Sequence, residues 1–125
     1  GAVIEAKLAD LAITIAKLSV ALKDVLSVTK HVDVAVAGGG PAGSDTPNEA
    51  GAAVFVGAKI NDVVAIGMPD IDAFGAGDKT QTWMACVDVV DHVKIYVQNN
   101  TGGAKSWPAG VFRLSITKSA TDWGL

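Results

Sequence analysis

Four groups of residues in this 125-residue sequence have types and spacings that chemistry could use. Residues 32–37, apolar except for Asp33, lead into Gly38-Gly39-Gly40-Pro41-Ala42-Gly43, a literal G-x-G-x-x-G. Such a turn holds a dinucleotide pyrophosphate when a helix follows at once and an acid about 20 residues on reaches the ribose. Asp62 stands near that spacing, but residues 44–49 have no amphipathic period and Pro47 sits where the helix should propagate. The stretch 38–51 is therefore predicted to be a loop between strands, with no cofactor. Asp70, Asp72 and Asp78 lie in a glycine-containing run that could offer oxygens to Ca²⁺. Phe74 breaks the EF-hand pattern and Gln81 stands where its bidentate Glu belongs, so a solvated turn and no metal are expected. Cys86 lies in a strand pattern with no elbow to expose its thiol, and His31 and His92 have no second His at ligand spacing. They read as a buried small side chain and two surface residues; no catalytic residue and no enzyme activity are expected. Trp83, Tyr96 and Trp107 could stack on sugar rings, while Trp123, near the end of the sequence, needs something packed on it to stay ordered.

Two unlike segments must carry these groups. In residues 2–26 the apolar positions Ile4, Leu8, Leu11, Ile15, Leu18, Leu22 and Val25 are spaced alternately four and three, and no Gly or Pro interrupts them. That is a heptad seam, so residues 1–26 are expected to form an N-terminal α-helix for oligomerisation or docking. Ile13 and Val20 lie off the seam and ask for more than one partner surface, which favours three chains over two. A single helix lying on its own sheet satisfies the same spacing. From residue 27 the period becomes two: Val28, Val32, Val34 and Val36 share one parity, interrupted by Lys30. Further strands are expected over 52–58, 63–68, 80–89, 92–98 and 110–117, with turns at Asn61-Asp62, Val90-Asp91 and 99–103 and a loop over 69–79. Six or seven short strands without an intervening helix predict a mainly β fold, an antiparallel jelly-roll-like β-sandwich over 27–125 with a C-terminal tail.

Composition limits the function classes. Half of the residues are apolar, enough for one core without disulfides, and Cys86 is the single cysteine. The net charge of −3 and a single arginine, Arg113, speak against a nucleic-acid groove, and no apolar run approaches the roughly 20 residues that span a bilayer. A soluble chain with no nucleic-acid or membrane partner is expected.

Residues 52–69 followed by 83–117 show a recurring order of turns. Ile60-Asn61-Asp62 enters the Val-rich 63–67 that ends at Pro69; Val93 to Gln98 leads into Asn99-Asn100-Thr101-Gly102-Gly103; Ala109 to Ile116 closes the domain. This pattern resembles small structural proteins of tailed bacteriophages. The resemblance implies a homotrimeric capsid-decoration (cement) or head-fibre protein on the outer surface of the head, soluble in the host cytoplasm before assembly. Its partners would be its own copies and the major capsid protein. The oligomer interface would comprise Ile4, Leu8, Leu11, Ile15, Leu18, Leu22, Val25 and Trp123. The alternative is a tail-fibre or head-spike module that binds host glycans through Trp83, Tyr96 and Trp107.

Overall fold

The computed structural model describes residues 20–42, 47–101 and 105–125. The described chain is mainly β, with the short helix α1 (Val20–Val25) followed by eight strands: β1 (Ser27–Val36), β2 (Gly39–Ala42), β3 (Asn48–Val54), β4 (Val64–Gly67), β5 (Gln81–Cys86), β6 (His92–Asn99), β7 (Lys105–Trp107) and β8 (Gly110–Ser119). They form two three-stranded sheets, β1-β8-β4 and β3-β6-β5, and a two-stranded ribbon, β2-β7. The pairs β2-β7, β3-β6, β4-β8 and β5-β6 are antiparallel. Chain contacts divide the protein into a body, residues 29–117, and a terminal unit made of residues 1–28 and 118–125.

In the body, strand alternation does what a half-buried sheet demands. Val34 and Val36 of β1, Val93, Ile95 and Val97 of β6, and Phe112, Leu114 and Ile116 of β8 all point inward and are almost fully buried. Their neighbours Asp33, Ala35, Val111 and Arg113 are exposed. The tight turns fall where the sequence placed them, with Asn61 and Asp91 in the left-handed region at φ 79° and 65°. Asn and Asp tolerate that conformation better than other side chains with a Cβ.

Several expectations need correction. Residues 38–51 are not a loop throughout, because β2 and the start of β3 lie within them. Glycine-rich segments lack the side-chain alternation that announces a strand, and β2 acquires its partner, β7, from more than sixty residues away. The strand expected over 52–58 begins earlier and ends at Val54; Phe55 to Ala58 close a turn through Ala58 N donating to Phe55 O. The loop after Pro69 is not merely solvated, since Phe74 at its centre is in the core.

In the terminal unit the helix expected over 1–26 is not supported: the described residues hold only the six-residue α1, and residues 1–19, with Ile4, Leu8, Leu11, Ile15 and Leu18, lie outside the described residues. The carbonyls at the end of a helix lack intrahelical partners. Here Ala120 N donates to Leu26 O at 2.8 Å and Thr121 N to Lys23 O at 3.4 Å. Trp123, expected at the oligomer interface, is 8% exposed within its own chain, and its Nε1 donates to Val28 O at 2.9 Å. Lys118 Nζ sits 4.4 Å from the centre of the indole, a cation–π contact.

Candidate functional site

The aromatic residues form the densest feature of the body. Strand β5 turns Trp83 inward, opposite Val97 of β6, and β8 turns Phe112 inward. The loop after Pro69 delivers Phe74 between them, with ring centroids 5.2 Å from Trp83 and 4.9 Å from Phe112, both edge to face. Trp83 and Phe112 approach to 5.1 Å, and Trp107 of β7 stands edge-on to Trp83 at 5.9 Å. Trp83 Nε1 donates to Phe74 O at 2.7 Å, which satisfies the one polar atom of a buried indole.

This arrangement explains the glycine motif. Trp107 lies on Gly39, where a Cβ would come within 2.7 Å of the indole, and its Nε1 donates to Ala37 O at 3.1 Å. Gly39 therefore admits an aromatic ring. Among the described residues the motif is followed by β3, which begins at Asn48, and not by a helix that would present its amides to a pyrophosphate. Residues 43–46 lie outside the described residues.

The acidic loop is closed by its own carboxylates. Asp70 Oδ1 accepts from Asp72 N and Ala73 N at 3.0 and 3.1 Å, and Asp78 Oδ1 accepts from Thr80 N and Thr80 Oγ1 at 3.1 and 2.7 Å. Lys105 Nζ donates to the same Thr80 hydroxyl. The Thr80 hydroxyl bond, with the backbone bond behind it, holds the Asp78 carboxyl below the usual aspartate range. Among the described residues no group of three His, Cys, Asp or Glu is placed to hold a metal ion.

Of the sugar-stacking set, Trp83 and Trp107 are brought together, but Trp83 is buried and Trp107 half-buried. Tyr96 points to the opposite face of β6 from Val97, beside the ion pair of Lys94 with Asp88 at 3.0 Å. The three aromatics do not share one surface. Cys86 is half-buried on β5, and its thiol is pushed up by burial and then by Asp88. His31 and His92 are exposed.

The site that sequence reasoning missed is a shallow groove on the outer face of β1-β8-β4. A depression of about 370 Å³ is lined by Asp33, Gly67, Met68, Pro69, Val111 and Arg113. A neighbouring apolar one of about 510 Å³, lined by Ala35 to Ala37 and Ala109 to Val111, meets it at Val111. Arg113 Nε donates to Asp33 Oδ1 at 2.9 Å and Nη2 to Oδ2 at 3.4 Å, a bidentate fork across adjacent strands. That fork, ahead of the charge itself, lowers the Asp33 pKa and raises that of Arg113. A carboxylate held ionised is a poor proton donor near neutrality, and no hydroxyl or thiol lines either depression. The outward parity of Asp33 and Arg113 is readable from the sequence, but their pairing depends on the register of strands 80 residues apart.

Among the described residues no helix is long and apolar enough to cross a membrane. No protein-family model, curated protein or solved structure matches this chain.

Proposed function

We propose that this chain is a structural protein of a tailed-phage virion, a homotrimer that decorates the head as a cement protein or forms part of a head fibre, with the major capsid protein as its other partner. The observation that carries this reading is the exposure of Leu22 and Val25, the two seam residues within α1, at 53% and 78%. Aliphatic side chains of a heptad seam left this open within their own chain suit burial against other copies, each worth roughly 1.5–3 kcal/mol when fully covered. On this reading residues 1–26 form the oligomerising helix, and the protein works by burying apolar area between subunits and against the shell, without catalysis or cofactor.

The body supports the reading as a jelly-roll-like sandwich. The first strand pairs beside the last, β3 pairs with β6, and β1, β3, β4 and β5 alternate between the two sheets, as Greek-key connections require. Trp83 from one sheet meets Phe112 from the other. Light scattering of the purified chain at micromolar concentration is expected to give three chain masses, and cryo-electron microscopy of the virion is expected to place the protein on the outer surface of the head. A monomer in the first measurement, or its absence from the particle in the second, overturns the proposal.

A further inference from the structure

We infer that the body carries a second self-association surface, an apolar patch at the end of the β3-β6 pair, whose occupant is the same patch on a second copy of this chain. Turns are ordinarily polar, yet Val54, Val56, Ile60, Val89 and Val90 are each more than half exposed. Two turns bearing three of them, Val56, Val89 and Val90, are tied together by Asp91. Its carbonyl accepts from Phe55 N, its Oδ1 accepts from Gly57 N, and its own N donates to Ala58 O, each at 2.8 Å. Val54 lies opposite His92 in the register, next to that staple, and Ile60 follows two residues after Ala58.

Area and charge both point to a second copy. The five side chains expose on the order of 450 Å² of aliphatic surface, inside the range of roughly 300–600 Å² for the largest patch of a typical monomer. A standard contact covers about 800 Å² per partner, some 56–65% of it apolar, so the patch supplies about the apolar area that one side needs. The carboxylates around it are already engaged within the chain: Asp91 with Gly57 N, Asp62 Oδ2 with Lys59 N at 2.9 Å, and Asp88 with Lys94. Two copies meeting through a twofold axis would bury apolar surface on apolar surface and strand no carboxylate, which makes the patch complementary to itself. The contact is distinct from the helical seam and does not rest on the virion reading.

The test uses the full chain carrying Leu22→Asp, which removes the seam contact, in sedimentation velocity from low micromolar to about millimolar concentration. A concentration-dependent monomer–dimer step is expected, and adding Val56→Asp and Val90→Asp should weaken it at least tenfold. If the aspartates disturb folding, read from the fluorescence of the buried Trp83, Val56→Thr with Val90→Thr should weaken the step in the same direction. A Leu22→Asp chain that stays monomeric throughout overturns the inference, as does a step that the patch substitutions leave unchanged. Phosphatidylcholine vesicles form a further arm: a chain that remains monomeric but sediments with them would assign the patch to a lipid surface instead.

Discussion

At the scale of single residues, the body depends on close approaches that composition does not reveal. Gly110 opens β8 where a Cβ would meet Phe74 Cζ at 2.8 Å and Pro69 Cγ at 3.0 Å. Both neighbours are rigid rings, and Phe74 is itself wedged between Trp83 and Phe112. Gly110→Ala should therefore cost about 1–3 kcal/mol, the usual penalty of overpacking, measured by urea denaturation; an unchanged midpoint would show that the loop carrying Phe74 yields. Charge sets a second expectation. Asp33 and Asp78 both have carboxyl pKa values lowered in the fold, by Arg113 and by Thr80. A lowered folded pKa contributes stability that is complete above the ordinary aspartate value of about 3.9 and is lost as pH falls through the folded value. The melting temperature should hold from neutrality to about pH 4 and fall below it, and Asp33→Asn should flatten that fall.

At the scale of elements, Asp91 is the clearest case of a turn residue with two duties. It adopts a positive φ and its side chain accepts from Gly57 N on the neighbouring turn. Asp91→Ala loses the bond and meets the left-handed penalty, an expected loss of about 1–3 kcal/mol, whereas Asp91→Asn should retain most of the stability. Thermal melts of the two variants check this, and equal losses would show that neither the Oδ1 acceptor nor the tolerance of positive φ that Asn shares with Asp sustains the turn. The same turn shows what the amino-acid pattern makes legible. Asn61 and Asp91 sit between apolar runs, β6 and β8 have clean alternation, and β1 alternates except at Lys30, so their existence and inward faces can be read directly. The ribbon β2-β7 cannot, because Gly39 and Gly40 have no side chains to alternate and the reason for glycine is an indole far along the chain. Phe74 is obscured for a related reason: the acidic residues around it describe the loop's wet side, while the ring's burial depends on Trp83 and Phe112, which only tertiary packing brings near. The Asp33–Arg113 fork is half legible, since parity gives the face and not the register.

At the scale of the whole molecule, the decisive contrast lies between Trp123 and the helical seam. Trp123 is covered by its own chain, so Trp123→Ala should destabilise the terminal unit, by about 3–5 kcal/mol for a fully buried indole, without changing the oligomeric mass. Light scattering of the folded variant checks this directly, and a drop to monomer mass would return Trp123 to the subunit interface. Leu22 and Val25 are open, and it is there that substitution should alter mass.

The adjacency of β1 and β8 also fixes how the protein responds to tension. Thr29 shares a hydrogen bond with Thr117 and Asp33 with Arg113, so within the body the strands run in opposite directions and residues 29 and 117 lie at the same end of the ladder. A pull applied between those two points would not shear the rungs together; it would open them one after another, the threonine pair before the ion pair. Held at these points in an optical trap, the molecule should peel at low force in small increments, and a single abrupt high-force rupture would contradict this geometry. Anchored instead through the β3-β6 end, the same ladder would bear none of the load directly, so the mechanical strength of any assembly built from this chain depends on which end it is held by.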